Sequence, residues 1–466
     1  LLILSCVFLA LLAAMTVIHV DDRKGLDHVS GAQMALADIL LKQGLLYPEW
    51  FDGAHIGGTR FFPIPLITHA VLAWVTDDVV AAGKLMNLMA IATVAALITV
   101  SALRFAKLPW PLAVGLGCAL LASPIGIDLS STIRYGPEAA ALSLGALIAY
   151  MAFPGRVGTA VAGSLATLAV FAKPTTAWAA LALLIVAVAD RRIRDLVVAG
   201  ATSTIVLSLA FYLWSQGRFL DTVRLLFAGT TDPLYSAMAP FRFSVGLQGA
   251  APAFFLAVVP ALIGIRDQRA RLFSIAWALA TVVALLAYTG EGIQENHLLE
   301  MVATTIALSA FGWRAVLDRI PATGEMAMVG ALAIVVAMGL LTVIDELNPF
   351  RRATHPRDPV AELVPADGYV LFEDPGLAVA REQRPVVLDA FMVARLPGPE
   401  GDRARAWLLG ELRRRAFDHV VLINDPVEKA DWYRDRHFGG AFVGVLLEGY
   451  CETGTASSFY VYSPCR

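Results

Sequence analysis

The feature that most constrains this chain is the recurrence of apolar stretches close to the length of a membrane-spanning helix, from the first residue to Ile344. A helix needs about 20 apolar residues to cross about 30 Å of hydrocarbon. About eleven such stretches can be marked, at 1–20, 79–103, 110–127, 137–153, 157–172, 174–189, 196–216, 251–265, 272–288, 297–313 and 326–344. Globular cores built from 466 residues could not hide this much apolar surface: 58% of the chain is hydrophobic, 16% is charged and the mean hydropathy is +0.66. Disordered and collagen-like chains are excluded by the same composition. A formal net charge of −3 gives no electrostatic footprint for nucleic acid or for a polybasic membrane-surface protein. The expected fold class is therefore an α-helical polytopic membrane protein.

Arg and Lys in short loops are retained on the cytoplasmic side and so set the orientation. In one phase the inside loops carry Arg104 and Lys107, Arg156, Arg191 to Arg194, Arg266 to Arg271, and Arg314 with Arg319. Every one is basic. The N-terminus is then cytoplasmic, the C-terminal region is outside, and the expected location is the cytoplasmic membrane. The first stretch lacks a basic leading region and runs into Asp21-Asp22 without a small-residue cleavage site, so it reads as a retained span.

The expected organisation is a membrane domain over 1–344 and an extracytoplasmic α/β domain over 345–466. Within the first, the loop 21–78 holds a half-length apolar stretch, 62–75, whose Pro63 and Pro65 suit a juxtamembrane or re-entrant helix. The loop 217–250 reads as a mobile flap. In the C-terminal region, 369–372, 385–388 and 420–423 read as buried strands and 402–415 as a helix, closed by a terminal strand pair at 442–447 and 459–462. Cys6 and Cys118 fall in spans as packing residues. Cys451 and Cys465, in an oxidising compartment under this topology, are expected to form a disulfide.

Ionisable residues at membrane depth are costly and point to function. Four clusters fall on the expected outer side. Asp21, Asp22 and Asp27, with His28, follow the first span; a desolvated carboxylate there can take a proton from a hydroxyl, and a solvated helix cap is the bland reading of the same residue. Arg134 and Glu138 flank the turn between two stretches, as a phosphate or sugar site or as a structural salt bridge. Lys173, between two stretches with almost no loop, calls for an anion, a lipid phosphate being the obvious one, unless it snorkels to the interface. Glu291, Glu295, Asn296, His297 and Glu300 form the last, for binding or interhelical hydrogen bonding. A transporter would be expected to place such groups near the midplane, in repeats, and no sequence repeat is apparent.

In order and content these features resemble the GT-C glycosyltransferases, membrane enzymes related to protein O-mannosyltransferases and to bacterial lipid-sugar-dependent transferases. The resemblance covers nearly the whole chain. It is carried by Asp27 in the first outer loop, Gln43-Gly44-Leu45-Leu46-Tyr47-Pro48, Arg60-Phe61-Phe62-Pro63-Ile64-Pro65-Leu66, the Arg134 to Glu138 turn, Lys173, and Asn296-His297-Leu298-Leu299-Glu300. Two departures stand out: His28 occupies a position where a second acid is common, and Asp21 and Asp22 compete with Asp27.

The resemblance implies transfer of a sugar from a polyprenyl-phosphate-linked donor to an acceptor hydroxyl on a glycan, lipid or protein, at the outer membrane face and with inversion. Asp27, or else Asp22 or Asp21, would be the base. Lys173, Arg134 and Arg60 would meet the donor phosphate, and His28, Tyr47, Glu138, Glu295, Asn296, His297 and Glu300 would contact substrate. No cofactor is implied as obligatory, and no His/Cys/Asp set has metal-ligand spacing. The competing expectation is a flippase of a lipid-linked saccharide; a third is a non-catalytic assembly subunit.

Overall fold

The computed structural model describes residues 1–226, 233–290, 295–348 and 355–466. It divides into two compact units, each built from separated segments: residues 1–20, 84–208 and 229–353 form the first, and 21–83, 209–228 and 354–466 the second. The loop 21–78, expected with the membrane domain, instead packs in one unit with the C-terminal region.

Among its described residues the first unit has helices and no strand. Each of the eleven apolar stretches is largely helical in the structure. Six helices among the described residues are long and apolar enough to cross a membrane, or up to seven with one bent pair, and shorter apolar helices run Leu2–Ile18, Pro63–Thr76, Gly136–Ala152 and Pro174–Ala189. The protein is a multi-pass membrane protein. Helix Ile193–Trp214 shows why the hydropathy is so high: only 11% of its apolar window is buried, and Val198, Ile205 and Leu213 lie exposed. Helices Ala251–Gly264 and Leu299–Arg319 approach so closely that a Cβ at Gly312 would come within 1.7 Å of the Pro260 carbonyl oxygen, the small-residue packing that membranes favour.

The stretch 110–127 is not one continuous helix. It breaks between Trp110–Leu121 and Pro124–Ser131 with a 68° bend. Pro124 cannot continue the hydrogen-bond ladder, and the Ser123 hydroxyl caps the new helix at the Gly126 N–H. The loop 217–250, expected as a flap, is helical where described, at Phe219–Leu225 and Pro233–Gly246.

The basic loops of the first unit meet at one end. Arg104 donates to the Ala152 carbonyl at 3.0 Å, Arg192 to that of Gly155 at 2.7 Å and Arg314 to that of Lys107 at 3.3 Å, while Arg271 pairs with Asp190 at 2.5 Å. Cys6 is exposed on helix Leu2–Ile18 rather than packed inside; Cys118 is buried.

The second unit carries a four-stranded sheet in the order β1-β2-β4-β3: β1 is Val370–Phe372, β2 His419–Leu422, β3 Tyr450–Ala456 and β4 Phe459–Pro464. β1 and β2 are parallel, with Leu371 opposite Val420, and the other pairs are antiparallel. Helix Gly398–Arg413 realises the expected helical pattern. Two expected strands are absent. Residues 385–388 make only an isolated bridge from Val387 to Ile56. Residues 442–447 belong to helix Phe442–Gly449, whose buried positions Phe442, Val445, Leu446 and Gly449 follow helical spacing within an apolar run of ambiguous period. Cys451 and Cys465 are disulfide-bonded across the β3–β4 hairpin.

Candidate functional site

Polar residues of the first unit gather at the end opposite the basic loops. Lys173 ends helix Gly155–Ala172, and Pro174 holds it extended at φ −157° and ψ 112°. Its Nζ donates to Glu300 Oε1 at 2.9 Å, and both side chains are nearly buried, at 15% and 7% exposure. Glu300 stands in the first turn of helix Leu299–Arg319, where the helix dipole favours negative charge. The anion that Lys173 meets is thus a side chain of the protein. A Cβ at Gly136 would lie 3.6 Å from Lys173 Nζ and 3.9 Å from the Asn296 carbonyl oxygen. The turn that carries Arg134 and Glu138, the lysine and the segment from Glu295 to Glu300 therefore converge.

Beside them opens a cavity of about 470 Å³ lined by Asp128, Arg134, Arg242, Tyr288, Glu295 and Asn296, with Phe241, Val245 and Gly246 as its apolar wall. Arg242 donates to the Tyr288 and Gly290 carbonyls, both at 2.9 Å, and its guanidinium lies 4.5 Å over the Tyr235 ring. Burial, then the Asp128 carboxylate, pushes the Glu295 carboxyl above its ordinary range. Asn296 Oδ1 is buried with no hydrogen-bond partner among the described residues. A second, smaller recess is lined by Thr175, Trp178, His297 and Glu300; Thr175 Oγ1 and Trp178 Nε1 are buried there without partners among the described residues. Unsatisfied polar atoms on cavity walls are what a polar ligand or ordered water satisfies.

The second unit holds the three candidate acids. Asp27 Oδ1 caps helix His28–Gln43, accepting from the Val29 and Ser30 N–H groups at 3.0 Å and from the Ser30 hydroxyl at 3.3 Å. Asp22 closes a short turn by accepting from the Lys24 N–H at 2.9 Å. Asp21 is exposed, and its carbonyl accepts from Arg357. The ring of His28 meets His437 edge-on, with centroids 4.9 Å apart, and stands perpendicular to Trp432 at 6.0 Å. Tyr47 is buried and donates to the Phe61 carbonyl at 3.1 Å, so burial raises its hydroxyl pKa well above the ordinary value. Arg60 stacks its guanidinium 4.4 Å over Phe391.

Glu291 lies outside the described residues. Among the described residues no group of three His, Cys, Asp or Glu is placed to hold a metal ion. Arg242 and Asp128 were not singled out by sequence: Arg242 stands between two phenylalanines in a segment that read as loop. Glu373, Trp432 and His437 were also missed, although Glu373-Asp374 directly ends an apolar strand pattern.

No protein-family model matches the chain, and no curated protein matches it in sequence. Solved structures do match its fold. ArnT from Cupriavidus metallidurans bound to undecaprenyl phosphate superposes with a TM-score of 0.65 at 11% identity, covering 98% of this chain and 97% of that one. The same protein in the apo state gives 0.61 at 12% identity over the same shares. The archaeal oligosaccharyltransferase AglB from Archaeoglobus fulgidus, in complex with an inhibitory peptide and a dolichol-phosphate, gives 0.52 at 12% identity, covering 98% of this chain and 74% of that one. The chain has the GT-C fold. At this identity the likeness is one of backbone, and the GT-C fold here takes in both the helical unit and the C-terminal sheet.

Proposed function

We propose that the protein is a membrane glycosyltransferase that moves a sugar from a polyprenyl-phosphate-linked donor to an acceptor hydroxyl. The observation that carries this reading is the GT-C fold over 98% of the chain, with two arginines lining a cavity in a unit made of apolar helices. The ArnT structure is bound to undecaprenyl phosphate and the AglB structure contains a dolichol-phosphate, which supports a polyprenyl-phosphate donor here.

In this reading Asp27 takes the acceptor proton as the hydroxyl attacks the anomeric carbon, and displacement in one step inverts that centre. The leaving lipid phosphate gains charge as the glycosidic bond breaks, and cations must meet it. Lys173 is already neutralised by Glu300, so Arg134 and Arg242 are assigned the larger share, with Arg60 as a further donor. Glu138, Glu295, Asn296, His297 and Tyr47 are assigned to substrate contact. The chemistry asks for no cofactor. Transfer is assigned to the outer face of the cytoplasmic membrane, with a glycan, a lipid or a protein as acceptor.

The test uses the purified protein in sealed proteoliposomes with undecaprenyl-phosphate-linked monosaccharides. Asp27→Asn is expected to abolish sugar transfer while undecaprenyl phosphate still binds. Lipid-linked sugar crossing the bilayer at the parental rate in that variant, with no transfer by the parent, would establish a flippase instead.

A further inference from the structure

β1 and β2 run parallel, and what stands beyond their carboxyl ends is the edge where open α/β sheets generally hold ligands. Here that edge carries Glu373 and Asp374 after β1 and Ile423 and Asn424 after β2. Both acids are committed to the neighbourhood of one helix head. Asp374 pairs with Arg23, and a Cβ at Gly31, in the first turn of helix His28–Gln43, would fall 1.9 Å from Asp374 Oδ1.

Glu373 is wholly buried and accepts four hydrogen bonds: from His437 Nδ1 at 2.5 Å, the Ile423 N–H at 2.8 Å, and Trp432 Nε1 and the Tyr433 hydroxyl at 3.0 Å each. Residues Trp432–Arg436 form a π-helical turn, and the His437 N–H bonds back to the Trp432 carbonyl at 3.0 Å. This irregularity, of a kind frequent at functional sites, brings Trp432 and His437 together, their rings 4.6 Å apart. Both rings then bear on His28.

A wholly buried carboxylate is an expensive way to fill space. What this one adds is direction: with Nδ1 committed to Glu373, the His437 ring has a fixed tautomer and orientation. His28 is the first residue of the helix that Asp27 caps, so a fixed His28 ring fixes the backbone from which the Asp27 carboxylate projects.

We propose that Glu373 and His437 are positioning residues for sugar transfer, holding Asp27 in place through His28. The C-terminal region thereby takes part in the chemistry. This inference rests on the reading of Asp27 as the base. His28 faces His437 and Trp432 from the π-helical segment, Glu373 and Asp374 from the end of β1, and Asp27 from its own helix. Burial first, and the His437 ring second, hold its pKa below the ordinary value, against the pull of the three carboxylates. Protonation of His28 would set its positive charge beside Asp27 and weaken it as a base.

The experiment compares the full-length protein with His437→Asn, His28→Gln and the double variant in nanodiscs, with undecaprenyl-phosphate-linked monosaccharides as donors. His437→Asn retains a donor for Glu373 and removes the ring against which His28 rests. Each single variant is expected to lose roughly tenfold or more in kcat with the donor KM within about twofold, and the double variant no more than the worse single. The acid limb of the pH profile is expected to move up in His437→Asn, as is the titration of His28 followed by 15N-histidine NMR. Folded variants, judged by parental thermal midpoints, that keep parental kcat or change KM alone would overturn the proposal, as would additive losses in the double variant. Should His437→Asn not fold, parental kcat in His28→Gln overturns it by itself. An inactive parent would instead overturn the glycosyltransferase reading on which it rests.

Discussion

Glu373 shows how much a single buried carboxylate can govern. Burial alone would raise its pKa; the His437 ring, the Ile423 N–H and the Trp432 N–H overcome that and bring it below the ordinary carboxylate range. Both oxygens face donors, so a glutamine in its place sets an amide N–H against one of them. Glu373→Gln is expected to cost the second unit about 3–5 kcal/mol, the usual consequence of breaking a buried pair, read as a lower urea midpoint. The pH dependence has two windows. A lowered carboxylate contributes stability that is present above about pH 4.3 and lost as pH falls through its folded value. His28, lowered from about 6.5, contributes stability present above that pH and lost as pH falls further. Urea midpoints measured against pH are expected to decline below about pH 6.5 and again below about 4.3, the lower decline shrinking in Glu373→Gln to what the lowered Asp52 carboxyl contributes. In the sequence Glu373 directly follows an apolar strand pattern, yet nothing marked it or its partner: His437 lies 64 residues away among arginines and aspartates whose pattern points nowhere.

At the scale of elements, helix His28–Gln43 depends on one missing side chain. Its Gly31 faces Asp374 Oδ1 and the Gly376 N–H, and a methyl group would reach 1.9 Å and 2.7 Å from them. Asp374 cannot easily withdraw, because it pairs with Arg23 and caps helix Pro375–Ala380 through the Gly376 N–H. Alanine would add about 1 kcal/mol of helix propensity. Overpacking costs about 1–3 kcal/mol, and here the obstructing groups are an ion pair and a backbone. Gly31→Ala is therefore expected to destabilise the second unit, which thermal denaturation of the full chain checks. The half-length helix Pro63–Thr76 was legible from its prolines. The run 442–447 was not, since a short apolar segment fits strand and helix alike. The bend at Pro124 was signalled by Ser123-Pro124, but a hydropathy window averages over it.

For the molecule as a whole, hydropathy made the helices of the first unit legible, because each span must satisfy its own backbone in lipid. Hydropathy says nothing about which loops pack together, and so the union of residues 21–83 with 354–466 was hidden. The contacts behind it are specific: the Ile56 N–H donates to the Val386 carbonyl at 2.7 Å, and the Leu388 N–H to that of Ile56 at 2.9 Å. If this unit unfolds as one, reducing the Cys451–Cys465 disulfide, whose loop of this length contributes about 3 kcal/mol, is expected to lower amide protection in helix His28–Gln43 together with β1. Hydrogen exchange on the full chain reads both at once, and loss confined to the β3–β4 hairpin would refute a single cooperative unit. The interleaving also orders biogenesis. Residues 21–83 leave the ribosome long before 354–466 are synthesised, so the first loop must wait at the membrane without the strand and π-turn that will hold it. A nascent chain then cannot settle Asp27 and His28 until residues 354–466 have followed them out.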